Sequence, residues 1–183
     1  MTETLVDLET WPRAAQFRWF RSYGRPHYAT TSRLDVTHLV GRRENDGVSF
    51  YRASLFAIGQ GLHAVPELLM RFRSETVVRH DNVSLSMPVP TPAGSFSYAY
   101  VPYVPDFVAF DTQAKAIIAK TSLYDDLNPV GTDKDAVAFL SCMPWLDYTS
   151  INNAMPHKDD CIPRITWGKY VTEGDRWRMA MTL

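Results

Sequence analysis

The chain has 183 residues and a mass of 20.8 kDa, which is enough for one domain with a substantial core. Hydrophobic residues make up 45% of it and charged residues 21%, which excludes a disordered or fibrous protein. The formal net charge of -1 disfavours nucleic acid and anionic membrane surfaces as partners.

The N-terminus is acidic and lacks the basic and apolar regions of a secretory signal. No apolar run approaches the roughly eighteen residues of a membrane-spanning segment. We therefore expect a cytoplasmic protein without a membrane partner. Two cysteines, Cys142 and Cys161, are too few for a disulfide framework and lack zinc spacing, so we expect reduced thiols and no metal.

The first third of the chain predicts mainly helices. Thr10 is a candidate N-cap for the first of them, and Asp35 could cap the second. Apolar residues recur on one stripe of the longest helix, which ends before Pro66. The predicted helices cover residues 11–23, 39–43 and 49–64, and a predicted strand covers residues 28–36.

The remainder predicts strands around one further helix. Residues 88–94 are rich in proline and predict a turn, and residues 173–175 predict a second turn. Helices interspersed with strands and hairpin-like turns indicate an α+β two-layer sandwich, in a single domain over residues 1–183. The predicted strands cover residues 68–72, 76–79, 83–87, 95–101, 136–145, 164–171 and 177–183, and the helix covers 106–120.

Several common kinds of site lack support in the sequence. None of the five histidines sits in a catalytic motif, and His63 is expected to bond locally near a helix C-terminus. The acidic pairs 125–126 and 159–160 lack the companion residues of a glycosidase or a metal site. The phosphate-loop, dinucleotide, zinc-protease and hydrolase motifs are absent from the sequence.

The most informative segments lie near the C-terminus. Residues 139–145 read Phe-Leu-Ser-Cys-Met-Pro-Trp, and residues 165–175 read Ile-Thr-Trp-Gly-Lys-Tyr-Val-Thr-Glu-Gly-Asp. This pairing resembles the chloramphenicol acetyltransferase family. Weaker fragments keep the same order along most of the chain, at residues 11–13, 34–37, 50–51, 66–68 and 96–97.

The resemblance implies the fold of the CoA-dependent acyltransferases, with a large mixed β-sheet and helices packed on it. It also implies O-acetyl transfer from acetyl-CoA to a hydroxyl of chloramphenicol or a similar small acceptor. Ser141 matches the serine that stabilises the tetrahedral oxyanion, and Thr166 matches a threonine that holds a water near this intermediate. Without the resemblance, Ser141 could equally be a strand serine bonded to a backbone carbonyl.

Other positions match the family's binding surfaces. Tyr170 and Trp145 match aromatic residues along the coenzyme channel, although core packing is an alternative for Trp145 and for Trp167. The acceptor pocket of the family corresponds here to four apolar or aromatic residues, each of which could instead belong to the core. These four residues are Phe20, Tyr28, Phe96 and Ile151.

The family carries a His-His-x-x-x-Asp-Gly motif that holds its general base, and the sequence ends before the position of that motif, without the family's last strand and helix. Arg13 matches an arginine that pairs with the motif's aspartate. On this chain alone it is expected to be a solvated helix arginine without that partner. The resemblance further implies a homotrimer with interfacial active sites, in which a neighbouring subunit supplies the histidine.

Two departures weaken the assignment of the acceptor. Phe20 stands where the drug-modifying enzymes commonly have tyrosine, and residues 87–94 replace a polar segment with a proline-rich one. An alternative is a catalytically inactive, truncated family member that acts as a small-molecule binding or regulatory protein. A third reading, the catalytic domain of a dihydrolipoyl acyltransferase, lacks a lipoyl module and its flexible linker.

Overall fold

Two β-sheets and four α-helices make up the computed structural model, which describes residues 2–129 and 134–183. In chain order the elements are β1 (Glu3–Val6), α1 (Ala14–Arg21), β2 (Thr31–Asp35), α2 (Thr37–Asp46), α3 (Phe50–His63), a 3-10 helix (Pro66–Leu69), β3 (Met70–Arg73), β4 (Thr76–His80), β5 (Ser84–Pro90), β6 (Phe96–Pro102), α4 (Phe107–Thr121), β7 (Val137–Cys142), β8 (Arg164–Glu173) and β9 (Arg176–Thr182).

The larger sheet is mixed and has six strands in the order β2-β9-β8-β7-β5-β6. Strand β7 runs parallel to both of its neighbours, β5 and β8, whereas the other pairs are antiparallel. The smaller sheet is antiparallel, in the order β1-β4-β3. Helices α3 and α4 pack on the large sheet, so the predicted α+β two-layer sandwich is confirmed.

Helices α3 and α4 begin where side-chain oxygens satisfy free backbone N–H groups. Ser49 Oγ accepts from the backbone N–H of Arg52, and Asp106 Oδ1 accepts from that of Ala109 at 2.8 Å. The expected cap at Thr10 is wrong, because α1 begins after Arg13. The N-cap of α2 is Val36 and not Asp35 as expected, although the Asp35 carboxylate accepts from the backbone N–H of Thr37, the first residue of the helix.

The core lies between the large sheet and the helices. Because side chains alternate along a strand, Leu140 and Cys142 of β7 share this face with Ile165 and Trp167 of β8. Trp167 is fully buried and stacks on Tyr51 of α3, with ring centroids 5.9 Å apart. The intervening residues of β7 and β8 therefore face away from the helix layer.

Among the predicted boundaries that are wrong are the C-terminal ends of β5 and β7. Strand β5 continues through Pro90, so residues 91–95 alone form the turn before β6. Pairing of β5 with β7 covers only Ser84 to Ser86, and the prolines beyond it therefore interrupt no ladder with β7. The strand predicted to reach residue 145 ends at Cys142, because the chain then turns across β8.

Strand β1 was not predicted. Its residues are mostly exposed and carry no alternating apolar pattern, so periodicity gives no signal for it. Pairing with β4 and the bidentate ion pair between Glu3 and Arg73 hold it in place.

Gly168 is required by a close approach between β8 and the segment that follows β7. A β-carbon there would collide with the carbonyl oxygen of Leu146 and lie 3.0 Å from the ring of Tyr148.

We expect Gly168→Ala to lower the free energy of unfolding by about 1–3 kcal/mol through overpacking. Gly61→Ala is the control, since its β-carbon would meet nothing within 4 Å and alanine favours the helix by up to about 1 kcal/mol. Denaturant titration measures both, and equal stabilities of the two variants would contradict the expectation.

Candidate active site

The candidate site is built on the parallel ladder between β7 and β8. In this ladder Ser141 pairs directly with Thr166, and both side chains lie on the face away from the helices. Phe139 and Arg164 share this face, and the Arg164 guanidinium lies 5.1 Å from the centroid of the Phe139 ring. Ser141 is half-buried, whereas Thr166 is only 1% exposed. The register thus places two hydroxyl groups side by side.

Hydrogen bonds fix Thr166 from two directions. Its hydroxyl donates to Asn153 Oδ1 at 2.9 Å, and its carbonyl oxygen accepts from the Tyr148 hydroxyl at 2.7 Å. On the neighbouring strand, Thr182 Oγ1 lies 2.7 Å from Thr31 Oγ1. Polar side chains therefore run from β2 across β9 to the centre of the sheet.

A cavity of about 850 Å³ borders this face. It lies between the loop 24–30 and the segment 152–164, and its volume suits a small organic ligand. Asn153 and Arg164 line it, whereas Ser141 does not belong to its lining. Since Asn153 bonds the Thr166 hydroxyl, one side chain separates the paired hydroxyls from the cavity.

A second cavity, of about 310 Å³, lies between α1 and the small sheet. Aromatic rings of Trp11, Phe17 and Phe72 form much of its wall, and Cys161 lines both cavities. Burial raises the pKa of Cys161, and it raises that of Cys142 to about 11. Both thiols are free and are protonated at neutral pH, which makes them poor nucleophiles.

The main cavity has one strongly fixed charge pair in its wall. Asp160 accepts two hydrogen bonds of 2.8 Å from Arg164 and one of 3.0 Å from the backbone N–H of Ile162. Burial raises the pKa of Asp160, but these hydrogen bonds lower it further, so the net pKa lies below the usual value. Asp160 therefore stays ionised and holds Arg164 beside Phe139.

Two of the family-matched aromatic residues lie outside the cavities. Tyr170 packs on the helix side, where its ring centroid lies 4.6 Å from that of Phe50, and its hydroxyl accepts from Arg43. Trp145 is 76% exposed in the turn after β7, so core packing is wrong for Trp145. Trp167, in contrast, packs in the core, as the alternative for this residue predicts.

The four residues expected in the acceptor pocket do not meet in one chain. Tyr28 lies on the main cavity and is 90% exposed, whereas Phe20 lines the second cavity. Ile151 is half-buried beside the lining segment. Phe96 lies on the edge strand β6, two strands from β7, and contacts Tyr98 outside both cavities.

Two further expectations have an outcome. Arg13 is solvated as expected, with its side chain 65% exposed, and its guanidinium lies 3.3 Å from the Glu67 carboxylate. His63 bonds locally as expected, with Nδ1 2.7 Å from the Gly59 carbonyl oxygen. His27 lines the main cavity, and its Nε2 lies 2.8 Å from the carbonyl oxygen of Asp160.

Sequence reasoning missed Tyr148, Asn153 and Arg164. The first two lie in irregular chain between β7 and β8, where no periodicity indicates their direction. Only the folded path of residues 143–163 brings them against Thr166.

No helix in the described ranges 2–129 and 134–183 has the length and hydropathy needed to cross a membrane.

The fold is that of the CoA-dependent acyltransferases, and comparisons with known proteins place the chain more closely. A sequence model described as "Chloramphenicol acetyltransferase" matches residues 1–183. The chain therefore belongs to the chloramphenicol acetyltransferase family and is an acetyltransferase of this type.

Relatives and solved structures agree with this membership. The chain is 25% identical to chloramphenicol acetyltransferase 3 of Escherichia coli, covering 100% of this chain and 87% of the relative. It is 28% identical to chloramphenicol acetyltransferase 2 of Escherichia coli, over 96% of this chain and 84% of the relative. A solved chloramphenicol acetyltransferase superposes with a TM-score of 0.89 at 25% identity, over 99% of this chain and 88% of the solved chain.

A dihydrolipoamide acetyltransferase from Azotobacter vinelandii superposes with a TM-score of 0.62 at 15% identity, covering 92% of this chain and 76% of the other. At this identity the likeness shows the shared fold alone.

Removal of the Asp160 charge tests the pair in the cavity wall. We expect Asp160→Asn to lower the free energy of unfolding by about 2 kcal/mol at neutral pH, because Arg164 loses its counter-charge in a mostly buried position. A depressed carboxyl pKa stabilises the fold above its unfolded pKa near 3.9, and this contribution disappears as the pH falls through the folded pKa. The difference from the unsubstituted protein should therefore shrink below about pH 5.

Urea unfolding at several pH values measures this difference. Asp159→Asn is the control, because the Asp159 carboxylate pairs with Arg21 at an exposed position and should contribute little. A difference for Asp160→Asn that stays constant from neutral pH to pH 3 would contradict the assignment.

Proposed function

We propose that the protein transfers an acetyl group from acetyl-CoA to a hydroxyl of chloramphenicol or a similar small acceptor. The observation that carries this proposal is the pairing of Ser141 with Thr166 beside the main cavity, in a chain that belongs to the family over its whole length. Nothing in the fold favours the alternative of an inactive binding protein.

In the proposed reaction the acceptor oxygen attacks the thioester carbonyl carbon and the carbonyl oxygen becomes an oxyanion. The Ser141 hydroxyl donates a hydrogen bond to that oxyanion. A donor fixed on a strand needs little reorganisation and stabilises the developing charge more than it stabilises the neutral carbonyl. Collapse of the intermediate breaks the carbon–sulfur bond and releases CoA, which takes up the proton.

The attack also needs a base to accept the proton of the acceptor hydroxyl. The family resemblance assigns this role to a histidine of the His-His-x-x-x-Asp-Gly motif, which the 183 residues do not contain. Activity is measured on the full-length protein. Tyr170 and Trp145 remain proposed coenzyme contacts, and Arg13 remains a proposed supporting residue.

We further propose a cytoplasmic homotrimer with active sites between subunits. Phe20, Tyr28, Phe96 and Ile151 do not converge within one chain, and Trp19 and Phe20 of α1 are more than half exposed. A neighbouring subunit would complete a pocket that one chain leaves open.

The proposed trimer is tested by its mass in solution. We expect light scattering after size exclusion to give a mass close to three times that of the chain, because exposed aromatic rings become buried at the interface. Trp19→Lys should reduce this mass, whereas Lys115→Ala, on an exposed position of α4, should leave it unchanged. A monomer at micromolar concentration would contradict the proposal.

Ser141→Ala tests the proposed oxyanion contact. We expect kcat for chloramphenicol acetylation to fall by about 100- to 1000-fold, with little change in either KM, because the hydrogen bond forms mainly in the transition state. Release of CoA thiol, followed with a thiol reagent, measures the rate. Ser150→Ala, at an exposed position nine residues later, is the control.

Two results would overturn the proposal. One is an unsubstituted protein that transfers no acetyl group to chloramphenicol or to a panel of small alcohols. The other is a Ser141→Ala variant with an unchanged kcat.

A further inference from the structure

The hydrogen bond to Asn153 determines whether the Thr166 hydroxyl can donate a hydrogen bond to another group or only accept one. A threonine hydroxyl has one hydrogen to donate and two lone pairs that accept. In the structure this hydrogen is donated to Asn153 Oδ1 at 2.9 Å. Threonine is also stiff at its first side-chain torsion, and Thr166 is only 1% exposed, so the hydroxyl has little room to turn elsewhere.

The backbone around Thr166 is held as firmly as its side chain. The Tyr148 hydroxyl donates to the carbonyl oxygen of Thr166 at 2.7 Å, and the Tyr148 ring packs against Gly168. Tyr148 is itself buried. Packing and a second hydrogen bond therefore fix the Thr166 end of its hydrogen bond to Asn153.

We infer that Asn153 is a positioning residue of the acetyl-transfer site, and this inference rests on the proposed function. With its hydrogen committed to Asn153, Thr166 presents only lone pairs to the reacting groups. An oxyanion placed directly against Thr166 Oγ1 would meet these lone pairs and be repelled. A water between them donates one hydrogen to Thr166 and the other to the oxyanion.

Thr166 therefore stabilises the intermediate only through a water whose orientation Asn153 determines. Asn153 lines the main cavity, so it lies where that water enters. Ser141, the ladder neighbour of Thr166, is the direct donor. The two hydroxyls of the pair thus have different roles, one as donor and one as acceptor.

A double-mutant cycle tests this inference, because two residues that act through one water lose the same contribution. Steady-state kinetics are measured for the unsubstituted full-length protein and for Asn153→Leu, Thr166→Val and the double variant. We expect each single substitution to lower kcat about tenfold, with KM for the acceptor changed less than about twofold. The double variant should be no slower than Thr166→Val.

Two controls separate this effect from damage to the fold. Asn45→Leu makes the same chemical change at an exposed position of α2 and should leave kcat unchanged. Asn153→Ala provides a smaller side chain at the tested position, and it should reproduce the loss if Asn153→Leu has a lowered melting temperature.

The inference is overturned if the two losses multiply in the double variant, or if both Asn153 variants keep the full kcat. A protein without any acetyl transfer would be recognised in the first measurement, before any substitution is compared. That result would overturn the proposed function and this inference together, whereas an active protein with independent losses would overturn only the inference.

Discussion

The parallel register between β7 and β8 is the constraint on which the candidate site depends. Ser141 lies beside Thr166 only because Leu140 lies beside Ile165 and Cys142 beside Trp167. Those neighbours are buried under the helices, and a slip of one residue would turn the apolar side chains to the other face. Burial of Trp167 against Tyr51 thus fixes, from the opposite side of the sheet, where the hydroxyls lie. One strand alignment therefore sets both the packing of the apolar side chains in the core and the positions of the two hydroxyl groups on the open face.

The irregular segment between these strands gives the open face its chemical character. Tyr148 and Asn153 bring a hydroxyl and an amide to Thr166, and Asp160 holds Arg164 in the wall of the cavity. A connection between parallel strands must cross the sheet, and here it does so without a helix over the hydroxyl face. Its side chains can therefore satisfy strand polar groups that a helix layer would cover with apolar residues. A rigid scaffold with polar groups on a loop is a common arrangement for function.

A single chain provides half-open cavities instead of a closed pocket. Tyr28 and Phe20 line separate cavities, and Phe96 lies at the far edge of the sheet. Cys161 and Glu67 border both cavities, so the two spaces are neighbours. The Arg13–Glu67 ion pair lies at the smaller cavity and is largely exposed, so it contributes little stability and can rearrange when another partner approaches. These features are the basis for proposing that a neighbouring subunit completes the site.

Sequence alone determined the order and type of almost all elements, because apolar periodicity and turn residues are local properties of the chain. It also selected Ser141 and Thr166 as candidate site residues through a motif of fixed spacing, and the strand register places the two side by side. It could not identify β1, which is exposed and stabilised by pairing with β4, nor the continuation of β5 through Pro90. Tertiary structure alone decided that Trp145 is exposed while Trp167 is buried, that Arg13 pairs with Glu67, and that Asn153 holds Thr166. These outcomes depend on which distant segments meet, and that depends on strand register and loop path, which no local pattern of residues encodes.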